Sequence, residues 1–245
     1  MTRFALTLEF DGTPFFGLQR QSHGPSVQQS VEDALQRITG ETVTLHSAGR
    51  TDAGVHASGQ VVHFETTAMR PLKAWLHGTN SNMDRHIAVR WAHPVPDDFH
   101  ARFSACSRRY RYLITNTTIR PALYRDFLMH CHTLLDAGLM HEAGQHLLGE
   151  RDFSSFRAAG CQSRTAMRNV SELSVKRQGD LIVVEIEANA FLLHMVRNIV
   201  GTLLQIGRGD KPPGWAGELL ALQDRTKAAP TAAAQGLSLI AVRYP

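Results

Sequence analysis

The chain predicts an α+β fold in two halves that meet through mostly antiparallel sheets, with a cleft between them. Three observations lead there. Strand patterns come in hairpin-linked pairs, helical patterns are scattered among them without strict β-α-β alternation, and a stretch with two prolines interrupts the middle. With 245 residues, 43% of them hydrophobic, either one large domain or two packed halves can bury a core.

Taken in order, "RFALTLEF" alternates, with Phe4, Leu6, Leu8 and Phe10 on one face, and reads as a half-buried strand. The turn-rich "DGTPFFG" follows. Ser26 then opens a helix with Gln29 three residues on, a capping-box pattern. Val27, Val31, Leu35 and Ile38 form its apolar stripe, and Gly40 ends it. "TVTLH" and "QVVHFE" read as strands on either side of the glycine-containing "AGRTDAGVHASG". A helix is expected over "PLKAWLHGTNSN" and a strand near "HIAVRWAHPV". Pro94 and Pro96 in "HPVPDDFHARF" mark the seam, giving halves of 1–100 and 101–245. In the second half "RRYRYLITN" is a strand, and a helix is expected around 139–148. "NVSELSVKRQGDLIVVEIEA" is a hairpin turning at Gln178-Gly179-Asp180. A long helix follows Asn189 and a shorter one covers 215–222. "LSLIAVRYP" closes the chain as a strand.

Several function classes have no support. No apolar run approaches the roughly 20 residues of a membrane span. Thr7 and Glu9 interrupt what would be the apolar segment of a signal peptide. Three cysteines, Cys106, Cys131 and Cys161, include no CxxC pair, which reads as a reducing, cytoplasmic setting. There is no GxxxxGK[ST] phosphate loop and no GxSxG elbow. His141 and His146 are five apart, whereas a zincin helix needs four, and "HCH" at 130–132 alternates faces in a strand. No catalytic metal is expected.

All but four of the 26 basic side chains are arginine, which forks onto phosphates and stacks on bases. A GC-rich genome would give the same bias, so position matters more than count. "SRRYRY" interleaves arginine and tyrosine. In a strand, Arg109 and Arg111 face one way, with Arg108, Tyr110 and Tyr112 facing the other. Basic and aromatic groups together suit RNA with unstacked bases.

Two residues sit awkwardly in their surroundings. On "NAFLLHMVRNIVGTLLQIG", at about 100° per residue, Leu192, Met195, Val196, Ile199, Leu203 and Ile206 form the main apolar stripe, and His194, Asn198 and Gln205 the polar face. Arg197 falls instead beside Leu193, Leu204 and Gly201 on the apolar flank. A half-buried guanidinium is costly unless it snorkels to water or meets an anion. Asp52 is the candidate anion. An Asp in a glycine-containing loop is commonly a turn former, but one paired with a buried arginine stays ionised and can act as nucleophile or base.

The stretches "AGRTDAGVHASGQVVHF", "FHARFSACSRRYRY", "DFSSFR", "QSRTAMRNV", "NAFLLHMVRNIVG" and "GLSLIAV" together resemble the tRNA pseudouridine synthase A family. The similarity runs in order from about Phe4 to the C-terminus, and GRTDAGVH is its most specific part. One departure is "FFGLQRQ", where Phe15, Phe16 and Leu18 replace the family's usual tyrosines and tryptophan. The resemblance implies a pseudouridine synthase fold and isomerisation of uridine to pseudouridine in the anticodon stem-loop of tRNA. It also implies a homodimer, with no cofactor and no metal. Asp52 matches the catalytic aspartate, and Tyr110 the tyrosine that stacks on the target uracil and could accept its C5 proton. Arg50 matches the arginine that fills the place of the flipped nucleotide. Arg197 matches the arginine paired with the carboxylate, and Leu237 an apolar pocket residue. Two rival classes are a non-catalytic RNA-binding module and another RNA enzyme such as a methyltransferase. The presence of Asp52, Tyr110 and Arg197 together speaks against the first. The lack of a glycine-rich cofactor loop after a strand speaks against the second.

Overall fold

A computed structural model describes all 245 residues. In chain order the elements are β1 (Thr2–Phe10), α1 (Val27–Thr39), β2 (His46–Ser47) and β3 (His56–Thr66). A π-helical turn (Ala74–Gly78) then runs into α2 (Thr79–Asn82), followed by β4 (Ile87–Pro94), β5 (Ser107–Thr115) and β6 (Met129–His130). The remainder comprises α3 (Ala137–Gln145), β7 (Gly149–Asp152), β8 (Met167–Gln178), β9 (Leu181–Ala188), α4 (Met195–Gly207), α5 (Trp215–Leu222) and β10 (Leu237–Arg243). The class is α+β with mostly antiparallel pairing, as the sequence predicts. None of the helices is long and apolar enough to cross a membrane. Two compact units form, Met1–Cys106 with Ser238–Pro245, and Ser107–Leu237.

In the first unit β1 is the central strand of an antiparallel trio. Phe4 lies opposite Phe64 of β3 and Pro94 of β4, and Leu6 opposite Val62 and Ala92. β10 adds in parallel to β3 through Ser238↔His56 and Leu239↔Ala57. Alternation in β1 fills the core as expected: Phe4, Leu6, Leu8 and Phe10 are all buried. Trp75, fully buried in the π-helical turn, packs at 4.8 Å from the Phe4 ring and 5.6 Å from Phe64. Burying such a ring is worth several aliphatic methylenes and accounts for much of the helix–sheet adhesion.

Helix α1 begins and ends where its caps put it. The Ser26 hydroxyl accepts from the Gln29 amide at 3.2 Å, and Gly40 closes the helix at φ 79°. Residue Ile38 of the expected stripe is only half-buried, while Glu32 is buried at 7% exposure. That carboxylate explains a difference from the sequence reading. "TVTLH" forms no strand beyond His46, because the Leu45 amide donates to Glu32 Oε1 (3.0 Å) instead of a neighbouring strand. Gln28 and Arg20 complete the carboxylate's partners at 2.8 and 2.6 Å. A buried acid held by three donors is stable where a lone one is not.

The second unit is an antiparallel run of β5, β9, β8 and β7, with β6 parallel to β5. The β8–β9 hairpin pairs Gln178 with Leu181 across Gly179 and Asp180, and Gly179 takes φ 59°. Residues 189–194 are not helical: α4 starts at Met195, because His194 takes a left-handed φ of 59° and breaks the expected longer helix. Asn198, expected on a polar face, is fully buried. Its Oδ1 accepts from Arg225 (3.0 Å) and Thr231 (2.6 Å), and its Nδ2 donates to the Phe156 carbonyl (2.8 Å). The polar face of α4 is therefore in part an internal network.

Candidate active site

The loop from 48 to 55 joins β2 to β3, and its backbone is pinned throughout. The Ala48 amide donates to the Val61 carbonyl (2.8 Å), and fully buried Gln60 donates through Nε2 to the Gly49 carbonyl (2.8 Å). The Thr51 carbonyl accepts from the Leu18 amide (3.1 Å), and the Asp52 carbonyl accepts from Val55 (3.1 Å). That last bond closes a β-turn whose third residue, Gly54, takes φ 75°, a region open to glycine. Gly59, expected to help shape the loop, lies inside β3. A Cβ there would stand 2.3 Å from the Ile240 carbonyl oxygen, so its work is to let β10 approach β3. On this frame Arg50 is exposed and Asp52 half-buried. The first stands at the surface, while the second is partly shielded from water, which strengthens any charge interaction it makes.

The departure at Phe15, Phe16 and Leu18 falls largely on the core. Phe15 and Leu18 are 4% and 2% exposed, and only Phe16 reaches the surface, edge-on to His23.

In the second unit, one segment meets Arg197, carries Leu237 and packs against the strand that bears Tyr110. Tyr110 on β5 is buried at 8% exposure, with its ring edge-on to Phe191 at 5.0 Å. Arg197, in the first turn of α4, is half-buried. Its Nε donates to the Ala232 carbonyl (2.8 Å), and its own carbonyl accepts from the Ala232 amide (3.1 Å). One residue on, Ala233 accepts from the hydroxyl of Tyr112 (2.8 Å), and Gly236 accepts from the Leu113 amide (2.9 Å). Leu237, 5% exposed, ends this run as the first residue of β10. Segment 232–237 thus fixes Arg197 and Leu237 against the strand that carries Tyr110. Burial pushes the Tyr112 hydroxyl pKa well up, with the positive charge of Arg197 working the other way, so Tyr112 stays a neutral donor.

The arginines of "SRRYRY" face as predicted but meet protein. Arg109 binds Glu172 in two bonds (3.0 and 2.9 Å) and Glu185 (2.6 Å), Arg111 binds Glu185, and Arg108 donates to the Asn189 carbonyl (2.8 Å). Glu185 is held below the usual carboxylate range: burial acts to raise it, but hydrogen bonds from Arg109 and Arg111 outweigh that. Sequence reasoning missed this ladder, although alternating acids in "VVEIEA" opposite alternating arginines would have signalled it.

Comparison with known proteins places these residues in a family. A family model described as "tRNA pseudouridine synthase" matches residues 7–104 and 143–245. The chain is 56% identical over 243 residues to tRNA pseudouridine synthase A of Escherichia coli (strain K12), covering 99% of this chain and 90% of that one. It is 54% identical to the protein of the same name from Aliivibrio fischeri (strain MJ11), and 56% to that from Actinobacillus pleuropneumoniae serotype 7 (strain AP76). Each of these alignments covers 99% of this chain and 93% of the relative. With its GRTDAGVH loop pinned from both sides and homologues aligned nearly end to end, the chain belongs to the tRNA pseudouridine synthase family.

Proposed function

We propose that this protein isomerises uridine to pseudouridine in the anticodon stem-loop of tRNA, with Asp52 as the catalytic carboxylate. The observation that carries the reading is the half-buried Asp52 on a loop whose carbonyls are tied on both sides, within the family's most specific motif. In the reaction the N1–C1′ bond breaks, the uracil turns, a C5–C1′ bond forms and the C5 proton leaves. Asp52 either attacks C1′ to give a covalent sugar ester or removes a sugar proton to give a glycal. A charged oxygen beside the sugar serves both routes.

The remaining roles follow from chemistry. Arg197 balances the Asp52 charge, and a guanidinium already oriented by a carbonyl bond needs little further ordering to do so. Tyr110 stacks on the uracil, holds it while it turns and takes the C5 proton. Arg50 fills the gap left by the flipped nucleotide, offsetting a few kcal/mol of lost stacking. Leu237 supplies an apolar wall. In this reading the half 1–100 contributes the carboxylate, and 101–245 the tyrosine, arginine and leucine. No cofactor or metal takes part, and the protein works in the cytoplasm as a homodimer. Ile119, Leu123, Tyr124 and Leu134, each 73–79% exposed, are apolar side chains that a partner copy would cover.

The test is incubation with tRNA tritiated at uridine C5. Tritium release without added cofactor supports the synthase. Binding without release would assign the protein to a non-catalytic RNA-binding class, and release dependent on a methyl donor would assign it to a transferase.

A further inference from the structure

We propose that residues 11–18 form a strap that sets the position of Asp52, and that buried His56 is its clasp, a positioning residue for the reaction; this rests on reading Asp52 as the catalytic carboxylate. The strap meets the loop backbone to backbone. At Gly12 a Cβ would stand 2.0 Å from the Val55 carbonyl oxygen. At Gly17, where φ is +99°, it would stand 2.7 Å from the Thr51 oxygen and 3.2 Å from the Asp52 carbonyl carbon. Only glycine allows both approaches. Between and beyond them, the Leu18 amide donates to the Thr51 carbonyl. The peptide on each side of Asp52 is thus backed by chain that cannot yield without moving.

The strap is itself fixed. Phe15 and Leu18 are buried, the Phe16 amide donates to Pro25 (2.9 Å), the Gln28 amide donates to the Leu18 carbonyl (2.9 Å), and the Asp11 amide donates to His86 (2.9 Å). At its other end stands His56, the first residue of β3 and 3% exposed. The Gly12 amide donates to His56 Nδ1 at 3.0 Å, which places the ring proton on Nε2. Asp11 Oδ1 lies 3.3 Å from the same nitrogen and already accepts from the Thr13 amide (2.9 Å) and hydroxyl (2.6 Å). A side-chain lone pair four residues from Asp52 therefore holds the glycine that backs Val55. With the main chain fixed, the carboxylate has only its own two torsions to search.

The experiment uses the full chain with His56→Asn and His56→Gln. Asparagine places an amide oxygen where Nδ1 stands, whereas glutamine carries it one methylene further. Single-turnover tritium release, tRNA affinity and Tm are measured for both, with Asp52→Asn as reference. His56→Asn is expected within about threefold of the wild-type rate and His56→Gln down roughly 30- to 100-fold, the scale of an ångström-sized misplacement, with tRNA Kd unchanged in both. Equal rates in the two variants, a rate loss matched by a loss of affinity, or failure of both to fold would each overturn the proposal. Turnover by Asp52→Asn would instead overturn the reading beneath it, so the two failures are distinguishable.

Discussion

Replacing Asn198 by alanine probes how Arg197 is held. The side chain is fully buried on α4 and makes three hydrogen bonds, to Arg225, Thr231 and the Phe156 carbonyl. Truncation leaves Arg225 served by the Ala229 carbonyl (2.9 Å) and the Thr231 oxygen (3.1 Å), but takes the acceptor from the Thr231 O–H and the donor from the Phe156 carbonyl. Each buried orphan costs about 1–3 kcal/mol, and partial water access at Thr231 trims its share, so the loss comes to about 3 kcal/mol. In a chain of this length that is about 6–12 °C in Tm. Thr231 adjoins Ala232, which clamps Arg197 at both carbonyl and guanidinium, so the same cut loosens the arginine. Turnover well below the lowered Tm should fall by about tenfold, a fraction of what full misplacement would cost. Asn198→Asp keeps both acceptor contacts but faces the Phe156 carbonyl with a second acceptor, and should fall between. Calorimetry and tritium release read the two effects. A stability loss under about 1 kcal/mol, or a full loss with turnover untouched, would refute the clamp.

Three further outcomes are expected. Asp52→Asn abolishes turnover and leaves tRNA binding within severalfold; activity in the purified variant would remove the carboxylate from the mechanism. Tyr110→Phe binds tRNA normally but loses roughly a hundredfold in rate, the contribution of a positioned proton acceptor, and wild-type kinetics would leave the hydroxyl without a role. His63 is 3% exposed, its Nδ1 accepts from the Ala101 amide (3.1 Å), and burial, then the neighbouring His100, His46 and Arg3, push its pKa down to about 4. The unfolded chain takes that proton near pH 6.5 and the folded one only near 4. Stability is therefore full above pH 6.5 and drains as pH falls toward 4, by at most about 3 kcal/mol. Urea midpoints across that window should drop in the wild type and flatten in His63→Asn; equal slopes would exclude His63 as the source.

What could be read from the sequence was local. Strand β1, the Ser26 cap, the Gly40 stop, the hairpin turn around Gly179 and helix α5 all follow from local patterns, and each is found in place, the turn with Gln178 already paired to Leu181. Asp52 stood out because its glycines and strand were adjacent to it. The readings that differ turn on distant partners. Whether "TVTLH" pairs as a strand depended on Glu32, 13 residues earlier, taking the Leu45 amide. Asn198 belonged on a polar face by periodicity, but Arg225 and Thr231, some thirty residues on, convert that face into interior. The late start of the helix, just after His194, is set by a single backbone torsion, which an average over turns does not register.

The same distinction changes how the arginine excess should be read. A basic chain that handles RNA invites counting every arginine as a phosphate contact, yet many serve as internal staples. Arg20 reaches Glu32, Arg109 and Arg111 share Glu185, and Arg177 holds Asn116 and the Leu135 carbonyl. Arg157 gathers the carbonyls of Cys161 and Ser163, and Arg225 those of Ala228 and Ala229. The guanidinium's several donors in one plane suit irregular chain, where carbonyls converge without a ladder to receive them. Substituting such an arginine by lysine keeps the charge and loses the fork. Arginine-to-lysine variants at Arg177 or Arg225 should therefore lower Tm without altering the salt dependence of tRNA binding, which tracks only the charges that meet phosphate.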